Sequence, residues 1–238
     1  MKIKKFGFTL AGATHVDLLP TNAKAGFTLA EILITLGIIG IISAMTIPAL
    51  MTKIRTVKTE AILKEDFSIL NQMLLTANDN GGINVPTQGN QLKFVKPWFE
   101  TYFQPYIKTT NVCYDTDHTG CWYNKKGCGT ATISFTLPNG SSVCFDDYGA
   151  SPILSNYGVK TTSPMTYVFY IDTNGTKLPN KHGVDLFTAV FKEENANLVP
   201  AGEDMSEEEI EKNCKLSGTR YWCLALIKRR GWKIPELK

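Results

Sequence analysis

Chemistry-bearing side chains are sparse in this chain, and the most informative one is a carboxylate in an oily surrounding. Glu31 is the single charged residue between Phe27 and Leu50. A carboxylate placed in a membrane helix costs about 2.5–3.5 kcal/mol at the helix centre, so such a residue is functional by default. Six cysteines, Cys113, Cys121, Cys128, Cys144, Cys214 and Cys223, all follow the first 112 residues. An even count without CxxC knuckles points to disulfides in an oxidising compartment, with a structural zinc site as the competing reading. Of the fifteen possible pairings, Cys214–Cys223 stands apart from the other four cysteines, and Cys128–Cys144 would bridge a hairpin. Asp172, Asn174 and Asp185 around Gly175 form the one metal-like group. Oxygen ligands on a glycine-turned loop suit calcium, although half of the calcium-loop pattern, including its distal glutamate, is missing; a plain Asn-Gly turn reads the same residues equally simply.

Other chemistry is excluded. His15, His118 and His182 lack ligand or triad spacing, and no G-x-S-x-G, P-loop or HExxH pattern occurs. Asp146 and Asp147 are adjacent in a strand pattern, so they point to opposite faces and do not form an acid–base pair. The chain therefore reads as a non-enzyme. The leader region carries Lys2, Lys4, Lys5 and Lys24 against Asp17, which accounts for the whole formal charge of +3. A neutral body gives no electrostatic basis for nucleic acid as a partner.

The elements that must position these residues follow from periodicity. The 24 residues from Phe27 to Leu50 would span about 36 Å as a helix, enough for a hydrocarbon core of about 30 Å. Beyond Pro48 the pattern turns amphipathic, with Ile54, Val57, Ala61, Leu63, Phe67, Leu70 and Leu74 at helical spacing. One helix is expected over 27–77, ended by Asn78-Asp79-Asn80-Gly81-Gly82. A loop over 83–97 leads to a short helix opened by Pro97, whose aromatics Trp98, Phe99, Tyr102, Phe103 and Tyr106 read as core. Strands are expected over 130–137, 142–146, 165–172 and 186–192, with a Pro138-Asn139-Gly140 turn between the first two. Ser206 caps a helix begun by Glu207, Glu208 and Glu209, and residues 220–229 form another. The fold class is α+β: a long N-terminal helix on an antiparallel sheet of about four strands, stapled by disulfides.

The order of leader, junction and apolar run departs from an ordinary secretory signal, in which cleavage follows the apolar core. Here Gly26–Phe27 precedes it. Gly26-Phe27-Thr28-Leu29-Ala30-Glu31 resembles the prepilin processing motif of type IV pilins and type II secretion pseudopilins. The resemblance implies cleavage after Gly26 and N-methylation of Phe27, with Glu31 at the family's glutamate position and Gly40 and Pro48 at its helix glycine and proline. It also implies that Glu31 pairs with the free ammonium of a neighbouring subunit's Phe27 and so sets the register of a filament. The leader holds an imperfect copy, Gly7-Phe8-Thr9-Leu10-Ala11, with Gly12 where the glutamate should stand.

The resulting organisation is a leader (1–26), a membrane and filament-core helix (27–50), its amphipathic continuation (51–80) and a disulfide-containing pilin head (81–238). The expected role is that of a structural subunit, leaning toward a minor pilin or pseudopilin, of a type IV pilus or type II secretion pseudopilus. The expected location is the bacterial cytoplasmic membrane with the head outside. Implied partners are sibling pilins, the prepilin peptidase, and an assembly platform with its ATPase. A membrane-anchored extracytoplasmic binding domain that never polymerises is the alternative; it explains the helix and the cysteines, but not Glu31 or the Gly26–Phe27 junction.

Overall fold

A computed structural model describes residues 26–85, 92–114, 116–130 and 132–235. The leader, with its imperfect motif copy, lies outside the described residues. Two compact units make up the chain, residues 1–49 and 50–238.

In the first unit the described residues are the start of helix α1, Leu29–Asp79, which continues into the second unit. The apolar side chains of this stretch are exposed, from Leu29 and Leu33 to Ile47. This segment is long and apolar enough to cross a membrane. Helical structure runs through Pro48, which is therefore an interior proline and not a boundary.

The second unit is a six-stranded sheet with helices on it. The strands are β1 (Asn111–Cys113), β2 (Ile133–Thr136), β3 (Ser142–Gly149), β4 (Met165–Asp172), β5 (Leu186–Lys192) and β6 (Asn197–Pro200). They lie in sequence order and every neighbouring pair is antiparallel. Side chains alternate between the two faces of such a sheet. Ile133, Phe135, Val143, Phe145, Phe169, Ile171, Phe187 and Phe191 thus share one face, where they meet Leu63, Phe67, Leu70 and Leu74 of α1. Helix α2 (Leu92–Tyr102) completes that core through Val95, Trp98 and Phe99, with Phe103 just beyond its end. Phe103 stacks on Phe169 with ring centroids 5.4 Å apart, and Phe145 on Phe169 at 5.0 Å. The opposite face carries Cys144, Val168, Tyr170 and Val190, covered by helix α3 (Ala150–Tyr157) through Ile153 and Tyr157. Helices α4 (Glu207–Cys214) and α5 (Cys223–Arg229) form a third packing group around Ile210 and Leu226.

Several expectations are corrected. The sheet has six strands and not about four; β1 and β6 were missed because each is only three or four residues long. Helix α2 begins at Leu92, so Pro97 sits inside it and does not open it. The proline removes one backbone donor in the middle of the helix, and the aromatic docking of Trp98 and Phe99, both nearly inaccessible, holds the helix regardless. The buried stripe of α1 starts at Glu60; Ile54 and Val57 are about half exposed, because they lie before the part of α1 that meets the sheet.

All six cysteines pair: Cys113–Cys121, Cys128–Cys144 and Cys214–Cys223. The first two tie the loop between β1 and β2 to β1 and β3, and the third joins α4 to α5. Zinc is thereby ruled out as the use of these thiols.

Candidate functional site: the processing junction and the β4–β5 loop

Helix α1 starts after Thr28 with a reciprocal capping arrangement. The Thr28 backbone N–H and its hydroxyl each donate to Glu31 Oε2 at 2.8 Å, while the Glu31 N–H donates to Thr28 Oγ1 at 3.2 Å. This satisfies donors that a helix start otherwise leaves open, and it places a negative charge where the helix dipole favours one. The same box recurs at Ser206 and Glu209. In the single chain, then, Glu31 is held by its own first turn. Thr28 escaped the sequence reading although Thr-x-x-Glu is the signature of this cap. Gly26 and Phe27 precede the helix, and Phe27 is 83% exposed. A Cβ built on Gly40 would meet nothing within 4 Å, so no contact in the single chain requires a glycine there.

The loop between β4 and β5 brings Asp172, Asn174 and Asp185 together. Asp185 is fastened by three donors: Asn174 Nδ2 and Asn180 N on Oδ2, both at 2.9 Å, and Lys181 N on Oδ1 at 2.7 Å. Asp172, fully buried, accepts the Asn174 N–H at 3.2 Å. Burial, and then the charge of Asp185, push the Asp172 carboxyl up to about 8. Two buried oxygens, Asn174 Oδ1 and Ser142 Oγ, have no hydrogen-bond partner among the described residues, and Ser142 sits opposite Asp172 in the β3–β4 register. The donor chemistry fits a hard, oxygen-ligated cation. Its charge comes from two carboxylates only, and no cluster of three or more His, Cys, Asp or Glu occurs among the described residues.

The remaining polar interior is structural. His118 lies within hydrogen-bond distance of Ser134 Oγ (2.7 Å) and Thr132 Oγ1 (3.0 Å), locking the cysteine-rich loop to β2. Asp146 accepts the Thr130 N–H at 3.0 Å. Burial pushes the His182 imidazole down to about 4, so it is neutral beside Tyr221. Glu60 binds the C-terminal segment to α1, accepting from Lys233 Nζ at 2.7 Å and from the Ile234 N–H at 2.9 Å.

The α+β fold, the apolar start of α1 and the capped glutamate define a pilin-type subunit, and comparison with known proteins agrees. Residues 21–47 match the prokaryotic N-terminal methylation motif, the signature of type IV pilins and pseudopilins. Residues 49–237 match a family of unknown function, DUF6613, and the chain belongs to that family. No curated protein and no solved structure matched.

Proposed function

We propose that this chain is a structural subunit, of the minor pilin or pseudopilin kind, of a type IV pilus or type II secretion pseudopilus. It is stored in the cytoplasmic membrane with residues 50–238 outside, cut after Gly26, methylated on Phe27 and polymerised through α1. The observation that carries this reading is the junction itself: a methylation motif set directly ahead of an apolar helix whose one acidic residue is Glu31. Identical head-to-tail contacts that do not close generate a fibre, and the exposed apolar face of residues 29–47 supplies the surface. Three disulfides support an oxidising location for the head. The peptidase, the assembly platform with its ATPase, and sibling pilins are the partners of this role.

Mass spectrometry of the chain purified from cells that possess the processing enzyme tests the proposal. The expected N-terminus is methylated Phe27; an intact Met1 would favour the tethered binding domain instead.

Calcium in the β4–β5 loop belongs to the same proposal. Asp172, Asn174 and Asp185 would hold it, giving Asn174 Oδ1 a partner and offsetting the repulsion between the carboxylates. The expected outcome in calorimetry is calcium-dependent heat that disappears in Asp185→Asn. A flat titration of the unaltered chain removes calcium from the proposal.

A further inference from the structure

A cleft of about 690 Å³ opens within the second unit between the Thr52–Ile62 stretch of α1, the β4–β5 loop and the C-terminal segment at Ile234. Three cations line it: Arg55 and Lys58 from the helix, and Lys177 from the loop. All three are exposed, and none takes part in an ion pair among the described residues. The one acidic residue in the described lining is Asp185, whose carboxylate is fixed in place by three N–H donors of its own loop. The described lining therefore carries three cations against one carboxylate, and ammonium and guanidinium groups together suit a phosphate. At its rim the loop presents an apolar tip, with Leu178 at 85% exposure and Val184 at 38%. Cations beside an exposed aliphatic tip are the composition of an interfacial lipid contact.

Chain order adds the deciding consideration. Arg55 and Lys58 follow the last residue of the apolar run, Leu50, by five and eight residues. Along a helix that is about 8–12 Å, comparable to the depth of the headgroup layer plus one Debye length. We infer that this cleft is a site for the headgroup of an anionic phospholipid, with the phosphate between Arg55, Lys58 and Lys177 and Leu178 entering the acyl boundary. The inference rests on the membrane-stored reading proposed above. It adds that the head itself is seated on the bilayer while the subunit waits, and that the seat is vacated when the subunit leaves.

The test uses the full chain reconstituted in vesicles of phosphatidylcholine alone or mixed with phosphatidylglycerol. After gentle extraction, the lipid that co-purifies is counted by mass spectrometry. The expected result is a ratio of phosphatidylglycerol to phosphatidylcholine on the order of tenfold above that of the vesicle, the effect of one or two surface cations. Arg55→Gln/Lys58→Gln/Lys177→Gln brings it to parity, while the single Lys177→Gln, an exposed loop position, gives a partial loss without endangering the fold. Parity in the unaltered chain, or enrichment that survives the triple substitution, overturns the inference. So does self-association through the cleft without lipid enrichment. A chain that does not float with vesicles at all refutes the membrane-stored reading itself, and the two failures are thereby distinguished.

Discussion

Asp66 shows how a single residue of α1 couples the fold to acidity. It is fully buried where the helix meets the Pro138-Asn139-Gly140 turn, and Asn139 Nδ2 donates to its Oδ1 at 2.7 Å. Burial raises this carboxyl to about 6, against the Asn139 and Ser141 donors that pull the other way. A carboxyl whose folded value lies above its unfolded value favours the fold when protonated. That contribution is full below the ordinary carboxylate value and is lost as the pH rises to about 6. Asp66→Asn should therefore flatten the fall in stability across that window, by on the order of 2–3 kcal/mol between its ends. Urea titrations of both proteins at several pH values measure it; parallel pH profiles would show that Asp66 does not titrate there. Nothing in the sequence marked Asp66, since one acid among Lys64 and Glu65 reads as part of a solvated face. Its burial follows from which turn the sheet lays across the helix, a long-range fact.

Among the elements, the long ones were legible and the short ones were not. β4 and β5 are apolar-rich runs of eight and seven residues, buried on both faces, and were read to the residue, and α4 announced itself by Ser206 followed by acids. β1 has three residues, too few to show a period, and β6 ends in Pro200. Helix α3 lacks a side-chain cap and carries Pro152 in its first turn, so its eight residues resemble a loop. At the candidate site, Glu31 and the Gly26–Phe27 junction were visible because they violate an otherwise apolar pattern. The basic cleft was not, because Lys177 is far in sequence from Arg55 and Lys58. The disulfides matter most where elements are shortest. Cys128–Cys144 fastens an irregular loop to the middle of β3 across 16 residues, and closing a loop of that size stabilises by about 3 kcal/mol. Cys128→Ala/Cys144→Ala should lower the unfolding free energy by roughly that amount in urea monitored by tryptophan fluorescence. A loss within error would mean that His118 and its hydroxyl partners hold the loop unaided.

At the scale of the molecule, the proposed polymerisation decides what becomes of Glu31. Glu31→Val leaves the apolar run longer, so membrane insertion and processing should persist. Incorporation into sheared filaments should fall by roughly tenfold or more, because losing one member of a buried charge pair costs about 3–5 kcal/mol. Wild-type yields of filament containing the variant would refute the register role. The cap at Thr28 bears on how that pairing is reached. An acid already gripped by the amide and hydroxyl of its own first turn is never left bare while the subunit waits in oil. On the proposed reading, growth of the fibre is then an exchange of donors, the first turn of the helix giving up what the neighbour's amine supplies.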